Sequence, residues 1–426
     1  MVRVVDRNVA ITGLSVLAPG STCTETFWDM ITSGLTATRR ITAFDPSPFR
    51  SHVAAECDFD PEAHGLTARD QRRMDRAAQF AVVCARQAVA DSGLDGDNSA
   101  PDRLGVAIGS AVGCSAGLEE EYVVLSDVGK DWLVDQSYQS RQTFEYFSPS
   151  SIAREVAGEV GAQGPVAVIS NGCTSGIDSV GYAYQLIAEG SADVVITGAT
   201  EAPITPVALA SLDAILATTP RKTDFEQASR PFDLDRNGFA LAEGAAVLVL
   251  ESLEHARRRG AEVYALISGY ATRSNAYHMT GLPAGGEDMA IAIRAAMRQA
   301  GLGPDDIDYI NAHGSGTKQN DRHETSAFKK SLGPRAYEIP VSSIKSMIGH
   351  SLGAIGSIEI ATCALAMRDG IVPPTANLHT PDPDCDLDYV PLVAREQRVD
   401  VALTVGSGFG GFQSAMLLGK PQGGTR

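Results

Sequence analysis

Short runs rich in valine and isoleucine alternate along the 426-residue chain with longer segments whose apolar residues recur every three or four positions. The short runs predict β-strands and the longer segments predict α-helices. Alternation of this kind is typical of an α/β protein. The predicted strands, five in each half of the chain, are Val9–Gly13, Leu104–Gly109, Pro165–Ser170, Val194–Gly198, Ala246–Glu251, Ala265–Gly269, Ile307–Ala312, Pro340–Ser343, Val401–Gly406 and Ser414–Leu418.

The predicted elements follow one another at similar spacings in the two halves of the chain. This similarity suggests a duplicated unit joined near Leu253–Val263, and it predicts two domains, residues 1–258 and 259–426. The helical pattern is strongest over Arg76–Ser92 and Met289–Ala300. The basic segment His255–Gly260 is typical of a helix end, with cationic side chains in its last turn and a glycine after it.

Composition and charge narrow the class of protein. The chain is 44% hydrophobic and 20% charged, which is ordinary for a globular enzyme, and no apolar run reaches the roughly 18 residues of a membrane span. The first residues lack the pattern of a signal peptide. Seven cysteines without CxxC spacing predict a reducing compartment, the cytoplasm. A net charge of −17 disfavours nucleic acids and anionic membranes as partners.

Residues 349–353 match the G-x-S-x-G motif of a serine hydrolase, with Ser351 as the nucleophile. That motif needs a strand directly before the serine and a helix after it, followed by an acidic residue and a histidine. Asp369 and His379 come in the right order. The predicted strand ends too early, at Ser343, and too little chain follows Ser351 to build a hydrolase sheet, so this function is disfavoured.

A second motif, Gly406–Gly411, satisfies G-x-G-x-x-G. A dinucleotide site requires a helix after the glycines and an acidic residue about 20 positions later. Phe412–Leu418 instead has the pattern of a strand, and little chain follows it. We therefore interpret the glycines as a loop whose backbone approaches another group closely, and not as a cofactor loop.

Cys173 lies between the predicted strand Pro165–Ser170 and a helical pattern that ends near Gly190. At the start of a helix, the dipole and the free N–H groups lower a thiol pKa, which favours a nucleophilic role for Cys173. Gly172 and Gly176 permit a sharp turn and the close approach of a substrate. The alternative is a buried, unreactive cysteine, and that is the interpretation for the other six.

Three more reactive residues follow predicted strands in the second half. His313 comes after Ile307–Ala312, and Lys345 and His350 come after Pro340–Ser343. Active-site residues of α/β proteins gather at the ends of such strands. The pattern therefore predicts one convergent site, with His350 rather than Ser351 as its reactive group.

Asp321 and Glu324 follow His313 closely and are expected to hold Lys345 or the imidazoles by charge pairing. A zinc site is an alternative use of some of these side chains. Its candidate ligands are His313, His323, Glu324 and His350. Their spacing is not the dense spacing of a zinc motif, which disfavours a metal.

The stretches GCTSG, NAHGSGTKQNDRHE, SSIKSMIGHSLGA and GSGFGGFQ resemble the β-ketoacyl-acyl carrier protein synthases. More narrowly, they resemble the catalytic α subunit of bacterial aromatic (type II) polyketide synthases, which make antibiotics. The resemblance extends from VAITGLSVLAPG near the start to DLDYVP near the end. It implies the thiolase fold, in which two βαβαβαββ halves form a five-layered αβαβα body.

The resemblance also implies a reaction. Cys173 would accept a growing acyl chain from the phosphopantetheine arm of an acyl carrier protein. His313 and His350 would assist decarboxylation of malonyl-acyl carrier protein, and the resulting carbanion would attack the thioester. The N–H groups of Cys173 and Phe409 would form the oxyanion hole, and Phe409 would also gate the pocket. No cofactor or metal would be bound by the enzyme itself, because phosphopantetheine arrives on the carrier protein.

Further roles come from the same resemblance. Lys345 would belong to the catalytic set, with charge support from Asp321 and Glu324. The residues that would contact pantetheine are Thr280, Ser315 and Thr317. The residues that would dock an acidic carrier protein are Arg69, Arg72, Arg73, Arg221 and Lys222, with Arg76 on the same helical stretch. The segment GSGTKQND departs from the GTSTPAGD of the fatty-acid branch, which favours the polyketide branch.

The resemblance implies a heterodimer with a chain length factor, because a reactive poly-β-keto chain must be kept from water. Gly176 and Gly181 are expected to leave room for a tunnel. One alternative is a fatty-acid condensing enzyme. Another is a non-catalytic chain length factor, which would lack Cys173. A degradative thiolase would be expected to have a second cysteine in Gly406–Gly411, where there is none.

Overall fold

The structure is a computed structural model that describes residues 7–95, 99–130 and 134–421. The strands are β1 (Val9–Leu17), β2 (Arg39–Arg40), β3 (Val53–Ala55), β4 (Leu104–Gly109), β5 (Val166–Ile169), β6 (Val194–Glu201), β7 (Leu241–Ala242), β8 (Gly244–Ser252), β9 (Ala265–Ser274), β10 (Tyr309–Asn311), β11 (Val341–Ser342), β12 (Ile371–Val372), β13 (Arg395–Glu396), β14 (Val401–Gly408) and β15 (Phe412–Gly419). All ten strands predicted from the sequence are confirmed, and the additional ones are short.

The α-helices lie between these strands. They are α1 (Thr24–Thr32), α2 (Ala68–Arg73), α3 (Arg76–Ser92), α4 (Ser115–Leu125), α5 (Thr143–Phe147), α6 (Ser150–Val160), α7 (Ser175–Ala188), α8 (Pro206–Ala214), α9 (Leu253–Arg258), α10 (Glu287–Ala300), α11 (Lys318–Leu332), α12 (Lys345–Ile348) and α13 (Ile355–Asp369). The predicted helix Arg76–Ser92 has the same bounds in the structure, and Met289–Ala300 gains two residues at its start. Among the residues that the structure describes, no helix has the length and apolar character needed to cross a bilayer.

Ten strands form one mixed sheet in the order β11-β10-β14-β15-β9-β1-β8-β6-β4-β5. Each half contributes five strands to this sheet. If these five are numbered in chain order within their half, they lie side by side in the order third, second, fourth, fifth, first. The second strand pairs in parallel with the third and fourth, and the fifth runs antiparallel to the fourth and first. The two halves therefore have the same topology, which confirms the duplicated unit. A division at residues 258 and 259 stays a prediction.

The halves join where β1 pairs antiparallel with β9. Helices α3 and α6 pack on the outer face of the N-terminal strands, and α10 and α11 on the outer face of the C-terminal strands. Helices α7 and α13 lie between the two sets of strands. Every residue of α13 from Ile355 to Met367 is buried, as a helix enclosed on all sides requires. These layers confirm the five-layered αβαβα arrangement.

Candidate active site

Cys173 lies in a one-turn 3-10 helix, Gly172–Thr174, between β5 and α7, as predicted. Gly172 has φ +58°, a conformation that side chains other than glycine rarely adopt. A Cβ atom on Gly172 would lie 3.3 Å from the carbonyl oxygen of Phe409. The turn thus holds the cysteine against the Phe409 loop, and only 6% of Cys173 is exposed.

The expectation that the helix start lowers the Cys173 pKa is wrong for this site. Burial raises the pKa of the thiol to about 12. The nearby Lys345 ammonium and the backbone N–H of Phe409 act in the opposite direction and offset only part of this effect. Cys173 is therefore a neutral thiol at pH 7, because desolvation of the thiolate outweighs the favourable charges and dipoles.

The glycine motif Gly406–Gly411 forms the end of the β14–β15 hairpin, as the strand pattern of Phe412–Leu418 predicts. A Cβ on Gly408 would lie 3.3 Å from the backbone nitrogen of Cys173, so the motif brings two backbones together. Among the described residues, the Cys173 N–H has no hydrogen-bond acceptor. The Phe409 N–H also lies close enough to the Cys173 sulfur to lower the thiol pKa, so both N–H groups are near the nucleophile.

His313 follows β10, and its backbone is fixed by the Glu324 carboxylate. Glu324 accepts the N–H of His313 at 2.5 Å and that of Gly314 at 2.8 Å. His350 is held by the small sheet β2–β3–β7: its N–H donates to Ala240, and its carbonyl accepts the N–H of Ala242. The two imidazoles meet edge to face with centroids 5.3 Å apart. The convergence predicted from the strand ends is therefore present.

Both imidazoles are neutral. Burial, and then the Lys345 ammonium, hold the pKa of His350 well below 6.5, and His313 is shifted in the same direction by burial, Lys345 and His350. The Nδ1 atom of each ring is buried without a hydrogen-bond partner among the described residues. A neutral imidazole can still donate one hydrogen bond, which suits it to stabilise a developing negative charge.

Lys345 forms a fully buried ion pair with Glu359 of α13. Within the described residues, Lys345 has no ion pair with Asp321 or Glu324, but its charge acts on Glu324 and lowers the pKa of that carboxyl against the effect of burial. Glu324 holds the backbone of the His313 turn, and Asp321 pairs with the buried guanidinium of Arg236 at 3.0 Å. Burial raises the pKa of Glu324 to about 8 and that of Glu359 to about 7.

Two buried acids near the site were not identified from the sequence. Glu359 is the only charged residue of α13 before its last turn, and such an isolated acid in an apolar helix was the available signal. Glu201 ends β6 and accepts hydrogen bonds from Ser110, Ala111 and Gly353. It thereby links the loop after β4 to the turn after His350, and burial raises its pKa to about 7.

The residues expected to contact pantetheine lie in two loops of the C-terminal half, one after β9 and one between β10 and α11. The hydroxyls of Ser315 and Thr317 are 3.0 Å apart, and Thr317 caps α11. Thr280 lies in a partly exposed loop, where its neighbour Met279 accepts the N–H of Gly410. The structure thus places Thr280 beside the hairpin that bears Phe409.

The candidate docking arginines do not form one continuous helical face. Helix α2 ends at Arg73, Met74 is extended, and Arg76 starts α3 with an ion pair to Glu243. Arg73 pairs with Asp70 and Glu155, and the exposed Arg69 and Arg72 have no ion pair within the described residues. In the loop after α8, Arg221 is half-buried and Lys222 is exposed.

The alternative motifs find no support in the geometry. The Ser351 hydroxyl is buried without a hydrogen-bond partner, Asp369 pairs with Arg368, and His379 is exposed. His323, a candidate zinc ligand, bonds Asp288 at 2.8 Å. In the parts of the chain that the structure describes, no group of three or more His, Cys, Asp or Glu side chains could hold a metal ion.

The expectation that Gly176 and Gly181 leave room for a tunnel is wrong. A Cβ on Gly176 would lie 2.5 Å from the backbone nitrogen of Ser357, and one on Gly181 would lie 2.4 Å from the ring of Tyr270. These glycines instead let α7 pack closely against α13 and β9.

Comparison of the sequence with known proteins identifies a family and several relatives. Residues 6–256 match the family model described as beta-ketoacyl synthase, N-terminal domain, and residues 264–379 match the model of the C-terminal domain. The chain is 61% identical, over 99% of both chains, to the tetracenomycin polyketide synthase ketoacyl synthase alpha subunit of Streptomyces glaucescens.

Two solved structures have a similar fold. One is a type II polyketide synthase acyl carrier protein in complex with its ketosynthase bound to the hexaketide. It gives a TM-score of 0.92 at 38% identity and covers 98% of this chain and 100% of that one. The other is the ishigamide ketosynthase/chain length factor, with a TM-score of 0.89 at 33% identity over 98% of this chain and 100% of that one.

Proposed function

Because the chain belongs to the β-ketoacyl synthase family and is an acyltransferase, we propose that it is the ketosynthase α subunit of an aromatic polyketide synthase. Its reaction is the decarboxylative condensation of an enzyme-bound acyl thioester with malonyl-acyl carrier protein, which elongates a poly-β-keto chain. One observation supports this most directly: Cys173, His313 and His350 are all buried within range of the Lys345 ammonium, whose charge acts on the pKa of each of them, and the two imidazoles are in contact.

The first step transfers the acyl chain to Cys173. The sulfur attacks the thioester carbonyl of the acyl carrier protein, and the pantetheine sulfur leaves with the proton of the Cys173 thiol. The oxyanion of the tetrahedral intermediate would accept hydrogen bonds from the N–H groups of Cys173 and Phe409. Lys345 provides a positive charge near the sulfur, which favours the transient thiolate.

The second step forms the carbon–carbon bond. Malonyl-acyl carrier protein loses CO₂, and its electron pair becomes an enolate on the thioester. The neutral imidazoles of His313 and His350 donate hydrogen bonds to the enolate oxygen. The enolate carbon then attacks the Cys173 thioester, and the bond to sulfur breaks. The Cys173 sulfur leaves as a thiolate and takes a proton from water, while the elongated chain remains on the carrier protein.

Phosphopantetheine reaches this pocket as part of the substrate. We assign Ser315, Thr317 and Thr280 to its contacts, since the hydroxyls of Ser315 and Thr317 meet just after His313 and the loop of Thr280 bonds the hairpin that bears Phe409. Phe409 is half-buried against the cluster that contains Cys173, a position that suits a gate between the acyl and malonyl sides.

The partner surfaces are also assigned by position. Large apolar side chains of the N-terminal half are exposed at Tyr122, Val123, Val124, Val128, Val134, Tyr138, Phe144 and Phe147, and in the described part of the chain β5 ends the sheet on that half. We assign this surface to a heterodimer with a chain length factor.

The acidic carrier protein is assigned to a basic surface. Its residues are the exposed Arg69 and Arg72, with Arg73, Arg221 and Lys222. All seven cysteines are free thiols, which suits the cytoplasm.

The proposed function is tested by condensation with purified components. The chain, a chain length factor and malonyl-acyl carrier protein should give poly-β-keto products, and Cys173→Ala should abolish them. Decarboxylation of malonyl-acyl carrier protein should survive in Cys173→Ala, because that step uses the histidines. Cys57→Ala is a matched control, since it also removes a buried thiol.

Two outcomes would contradict the proposal. Chain elongation by Cys173→Ala would exclude Cys173 as the acylated residue. Condensation that occurs only with a fatty-acid carrier protein, and that stops at a single β-ketoacyl thioester, would assign the chain to the fatty-acid branch. Intact-mass measurement of the acylated enzyme and of its products distinguishes these cases.

A further inference from the structure

Asp178 is a buried carboxylate on the first turns of α7, five residues after Cys173, and no step of the proposed reaction uses it. Only 3% of the residue is exposed, yet its two oxygens accept four hydrogen bonds. The amide of Asn171 and the hydroxyl of Thr174 donate to Oδ2, each at 2.8 Å. The hydroxyls of Tyr270 and Ser414 donate to Oδ1 at 2.9 and 2.5 Å.

The four donors come from both halves of the molecule. Asn171 and Thr174 flank the nucleophile, two residues before it and one after it. Tyr270 lies on β9, and Ser414 lies on β15, three residues beyond the turn that contains Phe409. Asp178 therefore ties the turn that presents the Cys173 N–H to the strand that follows the Phe409 N–H.

We infer that Asp178 is a positioning residue that fixes the spacing between the N–H groups of Cys173 and Phe409. The inference rests on the proposed function, in which these groups stabilise one oxyanion from opposite halves of the chain. Preorganised donors stabilise an oxyanion only if their spacing is held before the reaction begins. A displacement of about 1 Å is enough to cost about 10²-fold in rate.

The chemistry of the cluster requires a carboxylate. Two oxygens provide about four acceptor sites, and four donors fill them. Asn at this position would keep the shape but replace one oxygen with an NH₂ group that can only donate. Facing Asn171, that group would meet another amide donor. Facing β9 and β15, it would force both hydroxyls to reverse.

The test compares two reactions of the same sulfur in the Asp178→Asn variant. Acylation of Cys173 by an acyl-carrier protein passes through an oxyanion, whereas alkylation by iodoacetamide is a displacement that forms none. We expect acylation, followed by intact mass in a single turnover, to fall about 10²-fold. The alkylation rate of Cys173 should stay close to the wild-type value, because this reaction forms no oxyanion and burial, which has the largest effect on the thiol pKa, is unchanged.

Ser179→Ala is the matched control on α7. Its hydroxyl is buried and donates to the carbonyls of Gly176 and Gly198, so the variant loses buried hydrogen bonds without touching the Asp178 cluster. Its acylation rate should match the wild type. If Asp178→Asn does not fold, Tyr270→Phe and Ser414→Ala replace it, because each removes one donor and Phe keeps the ring that packs on Gly181. Each should slow acylation and leave alkylation unchanged.

Each possible result of these measurements supports or overturns the positioning role of Asp178. Wild-type acylation rates in Asp178→Asn, or equal losses of acylation and alkylation, would overturn the positioning role. If Asp178→Asn fails to fold, wild-type acylation in both Tyr270→Phe and Ser414→Ala would overturn it too. If the wild-type enzyme itself acquires no acyl group on Cys173, the proposed function fails instead, and the assay separates the two failures.

Discussion

At the scale of single residues, the ionisable groups of the site are buried, and burial shifts each pKa towards the neutral form. These groups are Cys173, His313, His350, Glu324 and Glu359. The ammonium group next to them belongs to Lys345, in its ion pair with Glu359. A site whose ionisable groups are mostly neutral has few charged side chains that could give a proton to an enolate. It therefore stabilises an enolate by fixed hydrogen bonds rather than by protonation.

The imidazoles of His313 and His350 should stay neutral from pH 8 down to 6.5 and take up protons only below that range. Burial disfavours the charged ring, so the folded pKa lies below the usual 6.5. Their contribution to the free energy of unfolding is then complete above pH 6.5 and is lost as the pH falls, because only the unfolded chain binds the protons. NMR titration of the ring signals, assigned with Ala variants, measures this, and a midpoint at or above 6.5 would contradict it.

Replacing either histidine by alanine should slow decarboxylation of malonyl-acyl carrier protein about 10²-fold, the scale for losing one oxyanion donor. Binding of the carrier protein should not change. Ser351→Ala is the control, since this neighbour of His350 is equally buried and has no partner for its hydroxyl. The rate of CO₂ release measures all three variants, and a near-complete loss in Ser351→Ala would favour the hydrolase interpretation again.

At the scale of elements, the site depends on how closely the central helices approach. Gly176 of α7 lies against Ser357 of α13, and Gly181 lies under the ring of Tyr270. These contacts bring the turn with Cys173 next to the turn that follows His350. Small residues at such points determine helix spacing, because any side chain there would separate the backbones.

Helix α2 is the element where carrier-protein docking can be tested most cleanly. Arg69→Glu with Arg72→Glu should raise the KM for the acidic carrier protein and leave kcat nearly unchanged, because both side chains are exposed without ion pairs in the described structure. Arg73 is left intact because a glutamate there would face Asp70 and Glu155. Binding to the wild type should also weaken with rising salt.

A matched control makes the same change in net charge elsewhere. Arg257→Glu with Arg298→Glu alters two exposed arginines on α9 and α10. Its KM for the carrier protein should stay near the wild-type value. An equal rise in both double variants would show that net charge, and not α2, governs binding, and salt-independent binding would also argue against docking at α2.

At the scale of the whole molecule, one surface is unusually apolar. Phe144 and Phe147 are each 74% exposed, and Tyr122, Val128 and Tyr138 are exposed in the same segment. Large apolar patches of this kind mark interfaces in proteins that remain soluble. An obligate interface here should bury on the order of 2,000 Å² or more.

Phe147→Glu should therefore weaken assembly with a chain length factor without lowering the Tm of the isolated chain, because the ring is exposed there. Val393→Glu is the control: it is also 74% exposed but lies on the C-terminal half. Sedimentation of the co-expressed pair measures the outcome. Unchanged assembly in Phe147→Glu would place the interface elsewhere. Synthesis of one defined-length polyketide by the chain alone would refute the heterodimer.

The sequence by itself determined the strands, the duplicated halves and the positions of Cys173, His313 and His350 after strand ends. These are properties of short segments: apolar periodicity records which backbone faces the core, and the turn after a strand is adjacent in the chain. The resemblance of long motifs added the family and the reaction. Such features need no knowledge of which distant segments touch.

The tertiary structure decided the rest. It gave Lys345 the partner Glu359, gave Asp321 the partner Arg236, and filled the space beside Gly176 and Gly181. Burial in the folded chain also raises the Cys173 pKa, whereas the position at a helix start predicted a lowered one. The physical reason is common to all of these. Ion pairing, packing and desolvation depend on which groups meet across the fold and on how completely water is excluded, and a local pattern records neither.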